Sequence, residues 1–351
     1  MKEAILYDRL DGLKVKCNVC QVRCIIQDQQ RGWCGTRLNK DGKLYSLIYG
    51  LTSSVCVDPI EKKPLYHFYP ASRCLSLGAL GCNFKCPGCQ NWHLSHQSPD
   101  EFGKNMERLT PEDSILIAKK YRCLGISWTY NEPAIWLEQI LETLKMAKKE
   151  GFYTVYVTNG YSSPEALDAV GPYLTGYRVD IKGFSKDSYK KVSGIANFEG
   201  ILEVAKLARH KWGMHVECVT NVTPTINDEE SILRGIARWI REELGEFTPW
   251  HVTRFYPHLD LSHLSPTPIR TMERAYEIGR QEGLKYVYVG NLPGHRWEDT
   301  YCHGCGERII SRSSFYDTRI DIKGGKCPSC GTQIPGRWDY PEHVDPPTFV
   351  A

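Results

Sequence analysis

Cys82, Cys86 and Cys89 stand at C-x3-C-x2-C spacing within Gly81-Cys82-Asn83-Phe84-Lys85-Cys86-Pro87-Gly88-Cys89-Gln90-Asn91. Three thiolates at this pitch on one loop can hold three corners of a cubane iron–sulfur cluster. The fourth iron then has no protein ligand from the motif and is open to a small molecule. Zinc is the competing reading. Four-ligand zinc sites favour paired C-x2-4-C knuckles, however, and no fourth partner stands nearby. An apolar run, residues 74–80, leads into the loop. It reads as a buried strand, with Gly81 turning the backbone sharply out of it.

Two further thiol clusters frame this one. Cys17, Cys20, Cys24 and Cys34 follow C-x2-C-x3-C-x9-C, with Gly32 and Gly35 flanking Trp33-Cys34 as a tight turn. Four thiolates so close predict a closed structural site. Zinc is the default and an auxiliary iron–sulfur cluster the alternative, which spacing alone does not separate. Cys302-x2-Cys305 and Cys327-x2-Cys330, each pair followed by glycine, lie 21 residues apart. That is zinc-ribbon spacing, and a rubredoxin-like iron site shares its geometry. The remaining cysteines, Cys56, Cys74, Cys123 and Cys218, sit in apolar strand-like contexts and read as core.

Fifteen cysteines among 351 residues, with no apolar signal region at Met1-Lys2-Glu3-Ala4, point to metal ligands and buried thiols in a reducing cytoplasm rather than disulfides. A net charge of +3 argues against nucleic acid, and no apolar stretch has the length of a membrane span. A hydrophobic content of 41% supports a substantial core.

From residue 73 the pattern repeats strand, loop and helix. Strands are expected at 74–80, 124–129, 153–158, 176–181, 214–220, 251–255 and 286–289. Helices are expected at 111–122, 133–150, 164–170, 198–210, 228–244 and 268–283. Such alternation predicts a parallel sheet with crossover helices and chemistry at the C-terminal strand ends. Before it, residues 43–49 and 53–57 read as two strands of a small N-terminal sheet, and 58–70 as an extended connector. The expected divisions are a Cys-rich metal-binding extension over 1–70, the α/β unit over 71–295 and a ribbon-like unit over 296–351.

The triple-Cys loop resembles that of the radical S-adenosylmethionine (SAM) superfamily. The surrounding words Lys63-Pro64-Leu65-Tyr66-His67-Phe68-Tyr69-Pro70, Cys89-Gln90-Asn91-Trp92 and Thr129-Tyr130-Asn131-Glu132-Pro133 resemble the radical SAM enzyme of the AmmeMemoRadiSam system. That enzyme is a relative of the pyruvate formate-lyase activating enzymes. Gly88 departs from the superfamily pattern, which often has an aromatic residue before the third cysteine. The resemblance implies a partial (βα)6 barrel in which Cys82, Cys86 and Cys89 hold a 4Fe–4S cluster and SAM chelates the open iron. Reductive cleavage of SAM would give a 5′-deoxyadenosyl radical that takes hydrogen from a substrate. It also implies an electron donor such as flavodoxin or ferredoxin. The substrate would be a glycyl-radical-type protein partner or a small molecule handled with companions of the Memo and AMMECR1 kinds. A non-catalytic iron–sulfur or zinc scaffold, or an electron carrier, is the rival reading of the same cysteines.

The strand ends supply the candidate contacts. Thr129, Asn131 and Glu132 occupy the place that meets the SAM amino group, though Glu132 equally suits a helix N-cap. Thr158 and Asn159 suit ribose hydroxyls, or an ordinary Asn-Gly turn. Asp180 and Lys182 share one face of a strand by period two and are the candidate catalytic pair near SAM and substrate. Arg254 is expected to bind a carboxylate. The loop 290–295 offers backbone contacts to adenine.

Overall fold

In this computed structural model the described residues are 1–102, 106–292 and 294–340. The main sheet has eight strands: β1 (Ser54–Pro59), β2 (Arg73–Gly78), β3 (Gly125–Trp128), β4 (Tyr153–Thr158), β5 (Gly176–Asp180), β6 (His215–Val222), β7 (Trp250–Arg254) and β8 (Val287–Gly290). They lie in sequence order across the sheet; β1 is antiparallel to β2, and β2 to β8 are all parallel. Six helical crossovers join the seven parallel strands, as a parallel pair requires. The principal helices are α1 (Pro111–Lys120), α2 (Leu137–Lys149), α3 (Pro164–Val170), α4 (Lys186–Ser193), α5 (Glu199–Lys206), α6 (Glu230–Trp239) and α7 (Ile269–Gln281).

Local chemistry sets several of these boundaries. Thr110 and Asp113 form a reciprocal capping box at the start of α1, with Pro111 in its first turn. The expected helix at 133–150 opens instead as a 3-10 turn, Pro133–Trp136, before α2 begins. α4 was not expected; Ser185 caps it and left-handed Gly194 ends it. β2 stops at Gly78, two residues short of the expected 80, because the side chain of Asn131 takes the Ala79 amide out of the ladder.

The N-terminal pairing differs from expectation. Lys43–Ser46 pairs with Arg37–Lys40 and Lys2–Glu3 in a small sheet, whereas Ser54–Pro59 joins the main sheet beside β2. Cys56 is exposed there rather than core, because it lies on the antiparallel edge strand. A second small sheet, Tyr7–Arg9, Val15–Cys17 and Ile25–Ile26, carries the first cysteines. A buried ion pair fastens this region to the crossover after β3: Arg37 Nη1 lies 2.7 Å from Glu138 Oε1, both side chains 1% exposed.

The segment 64–70 is buried rather than laid over the surface. Leu65, Tyr66, His67 and Phe68 have little or no exposure. Glu217 on β6 holds it, accepting from the Tyr66 amide at 3.0 Å and the His67 amide at 2.8 Å. The same carboxylate accepts from His215 and His251 at 2.9 and 2.6 Å. The C-terminal unit contains a three-stranded antiparallel sheet, Thr300–Tyr301, Arg308–Ser314 and Asp317–Ile320. It packs on Tyr66, Tyr286 and Tyr288 through Ile309 and Ile334. No helix among the described residues is long and apolar enough to cross a membrane. Residues 341–351, the end of the expected C-terminal unit, lie outside the described residues.

Candidate active site

A cavity of about 410 Å³ opens at the C-terminal ends of the parallel strands. Cys82, Cys86 and Cys89 line it together with Thr129, Asn131, Glu132, Thr158, Asn159, Asp180 and Lys182. Arg254 does not. Strand alternation turns Thr253 and Phe255 inward and sends Arg254 the other way. There its Nε donates to the Thr267 carbonyl at 2.8 Å. His251, two residues before Thr253, shares the inward face and lines the cavity. Gly290 and Asn291 also line it, while Pro293 of the same loop lies outside the described residues.

The cysteine loop is braced from behind. Gly81 has φ +77°, and a Cβ there would meet the Cys34 carbonyl oxygen at 2.6 Å, so only glycine turns the chain at this point. Asn131 Nδ2 donates to the Gly81 carbonyl at 2.9 Å, and Asn159 Nδ2 to Asn83 Oδ1 at 2.8 Å. The Phe84 amide points at Cys82 Sγ at 3.4 Å, and the Ser95 hydroxyl lies 3.1 Å from Cys89 Sγ. Burial pushes the Cys86 thiol up to about 11, with nearby Lys182 opposing. Where the superfamily often has an aromatic residue, Gly88 leaves space that Leu261 and Phe255 approach, 2.8 and 3.3 Å from where its Cβ would lie.

Glu132 is buried and caps the 3-10 turn, accepting from the Ala134 amide at 3.1 Å. It also accepts from the Thr158 hydroxyl and the Asn159 amide, both at 2.8 Å. Those are three donors for two oxygens, which leaves lone-pair capacity toward the cavity. Burial pushes the Glu132 carboxyl up to about 7 against these hydrogen bonds. Thr158 is therefore committed to the protein: its hydroxyl binds Glu132 and accepts from the Gly160 amide at 2.9 Å.

Asp180 and Lys182 do meet, Nζ to Oδ2, at 2.6 Å. Arg178 completes a ladder of three charges on one face by binding the other Asp180 oxygen. Although burial opposes its charge, Asp180 is held below the ordinary carboxylate range by Arg178 and Lys182. Arg178 went unremarked in the sequence, yet the period of two that pairs 180 with 182 also includes 178. A second charged group has no such local signal. Buried Lys63 reaches Asp58 at 2.6 Å, and the Tyr130 hydroxyl donates to the same carboxylate at 2.9 Å. These residues come from β1, the connector and the end of β3.

The donor set fits a three-thiolate cluster. The three thiols of one loop face one cavity, and among the described residues no fourth thiol lines it. Elsewhere, the C-terminal cysteines form a compact tetrad with all sulfurs within 4.8 Å of one another. Cys302 Sγ lies 3.6 Å from Cys330 Sγ and Cys305 Sγ 3.7 Å from Cys327 Sγ. That set could bind a metal ion.

Residues 78–235 match the Radical SAM superfamily model. The chain is 43% identical over 336 residues to an uncharacterized protein of Methanocaldococcus jannaschii, covering 95% of this chain and 99% of that one. It is 25% identical over 222 residues to a pyruvate formate-lyase-activating enzyme of Clostridium pasteurianum, covering 59% and 87%. It is 29% identical over 186 residues to an isethionate sulfite-lyase activating enzyme of Nitratidesulfovibrio vulgaris, covering 51% and 58%. Residues 78–235 of the chain thus form a radical SAM region, and relatives of the chain are activating enzymes.

Proposed function

We propose that this protein cleaves SAM reductively and removes a hydrogen atom from a partner substrate, in the manner of an activating enzyme. The observation that carries the reading is the convergence of Cys82, Cys86 and Cys89 with Glu132 and the Arg178–Asp180–Lys182 ladder on one cavity that no fourth thiol lines among the described residues. When bound, the cluster supplies the electron that splits SAM into methionine and a 5′-deoxyadenosyl radical. The chain's residues hold and shield. Glu132 receives an N–H of the SAM amino group on its remaining lone pair. Asp180 and Lys182 orient the reacting end at the mouth. The open sheet, read as a partial (βα)6 barrel, keeps water from the centre. Anaerobically reconstituted protein given dithionite and SAM should release 5′-deoxyadenosine. None released by protein with a full iron load would overturn the reading.

A second cavity of about 440 Å³ shares Tyr66, Gln90, Asn291 and Phe315 with the first. The C-terminal unit contributes Arg312, Ser314 and Phe315 to it. This adjoining room supports a substrate larger than SAM's own reacting group, such as a loop of a protein partner. The words around residues 63–70, 89–92 and 129–133 favour the AmmeMemoRadiSam system, with companion proteins of its kinds as candidates. A labelled-hydrogen transfer assay with those proteins tests the assignment.

Two predictions follow from the side chains. The raised Glu132 carboxyl is neutral below about pH 7 and ionised above it. An ionised carboxylate accepts from the amino N–H better, so SAM affinity should rise between pH 6 and pH 8, by about tenfold at most per unit. Glu132→Gln should flatten that dependence in equilibrium binding. The C-terminal tetrad is read as structural zinc. The double variant Cys302→Ser, Cys305→Ser should lose about one zinc per chain and lower the thermal midpoint, measured by metal analysis and calorimetry.

A further inference from the structure

Four cysteines outside the main cavity form another sulfur cradle. Cys17, Cys20, Cys24 and Cys34 line a small space of about 10 Å³, with Val19, Trp33 and Asn83 among its other walls. Cys17, Cys20 and Cys34 are buried and Cys24 is partly exposed. Their spacing bears on what fits. Zinc bound at about 2.3 Å by four thiolates puts the sulfurs about 3.8 Å apart. The C-terminal tetrad meets that spacing. The N-terminal four do not: among the described residues, no three of their sulfurs lie within 4.8 Å of one another. A cubane sets its thiolates wider, because each binds a separate iron. The sulfurs also receive hydrogen-bonding neighbours. The Trp33 amide points at Cys24 Sγ at 3.4 Å, and the Thr36 hydroxyl lies 3.2 Å from Cys34 Sγ.

The location is equally informative. The Cys34 carbonyl packs on Gly81, immediately before Cys82. The Trp33 indole donates to the Asn83 carbonyl at 3.1 Å, immediately after Cys82. Asn83 walls the small space while its side chain binds Asn159, which lines the main cavity. Its backbone therefore separates the two sulfur cradles. Trp33 is 54% exposed, so the tetrad lies between the surface and the Cys82–Cys89 loop.

We propose that Cys17, Cys20, Cys24 and Cys34 hold a second four-iron cluster, not zinc, and that it relays electrons to the cluster on the Cys82 loop. The relay rests on the reading of that loop given above; the second cluster does not. A low-potential one-electron carrier protein is oxidised by one electron and reduces the N-terminal core from 2+ to 1+. The same electron then passes inward, restoring the 2+ core and reducing the loop cluster. No bond or proton is exchanged.

The test starts from anaerobically reconstituted full-length protein. Wild type should hold about eight irons, and the triple variant Cys82→Ala, Cys86→Ala, Cys89→Ala about four with four sulfides. The triple variant should also give a paramagnetic signal on reduction. Two zinc ions and no iron in the triple variant would overturn the second cluster. Should the loop reading fail instead, wild type and triple variant would hold the same four irons. Wild type gives an independent check if variants unfold: SAM should perturb one of two reduced-cluster signals and leave the other unchanged. A single signal, wholly shifted by SAM, would count against the proposal. For the relay, Cys20→Ser should slow loop-cluster reduction by a ferredoxin-type donor at least tenfold while dithionite still reduces it. Equal donor rates in variant and wild type would overturn the relay.

Discussion

Cys86→Ala should abolish 5′-deoxyadenosine formation, to at least about a thousandfold below wild type under dithionite and SAM. The physical reason is ligand count. Three thiols face the cavity, and among the described residues no other thiol lines it to take over the vacated corner. Cys74 and Cys218 are fully buried but belong to the packed sheet, and Cys56 is on its edge. Iron bound at the loop should fall with the activity. Cys74→Ala serves as the contrast. Its thiol packs among Ser76 and Ser127, so the variant should keep its turnover and lose only some stability. Retained activity in Cys86→Ala at full iron content would remove the basis for a three-thiolate centre.

Glu217→Ala should produce the largest loss of stability of any single change considered for this chain, about 3–5 kcal/mol. Four donors converge on that carboxylate: two backbone amides of the connector and the side chains of His215 and His251. Removing it strands all four inside the protein and releases the segment that carries Tyr66 to the cavity wall. Glu217→Gln should be nearly as damaging. Its amide nitrogen would face donors where an oxygen now accepts. The pH dependence has a definite sign. Although burial opposes it, hydrogen bonds from His215 and His251 hold the Glu217 carboxyl well below the usual range. Its contribution is therefore present above about pH 4.3, the ordinary glutamate value, and is lost as pH falls toward the depressed one. Denaturant midpoints measured from pH 7 downward should converge for wild type and variant. Parallel curves would show that the carboxylate's charge contributes nothing.

Much of the site was legible because its signals are local. C-x3-C-x2-C spacing needs only one loop to bring three thiols together, and the alternation of strands and helices places their partners at one edge of the sheet. Asp180 and Lys182 were readable from a period of two. Arg254 shows the limit of such reasoning. A strand end presents alternate residues to opposite sides, and the sequence does not say which side faces inward. Tertiary packing chose Thr253 and Phe255. The dual role of Glu132 follows similarly. Its cap to Ala134 is local, but its bonds to Thr158 and Asn159 exist only because β3 and β4 are neighbours.

Residue order by itself determined the thiol groupings, the order of the strands and the side of the sheet where chemistry gathers, since each depends on contacts a few residues long or on the handed connection of strand to helix. Only the folded chain decided that β1 extends the main sheet, that Lys63 and Asp58 meet Tyr130, and that Glu217 clamps the connector. It also decided that one set of four sulfurs closes to zinc spacing while another stays open beside the active loop. The Glu217 contacts join residues about 150 apart in the chain, and the Tyr130–Asp58 contact residues 72 apart. Their geometry is set by how whole elements pack, which no short stretch of sequence encodes.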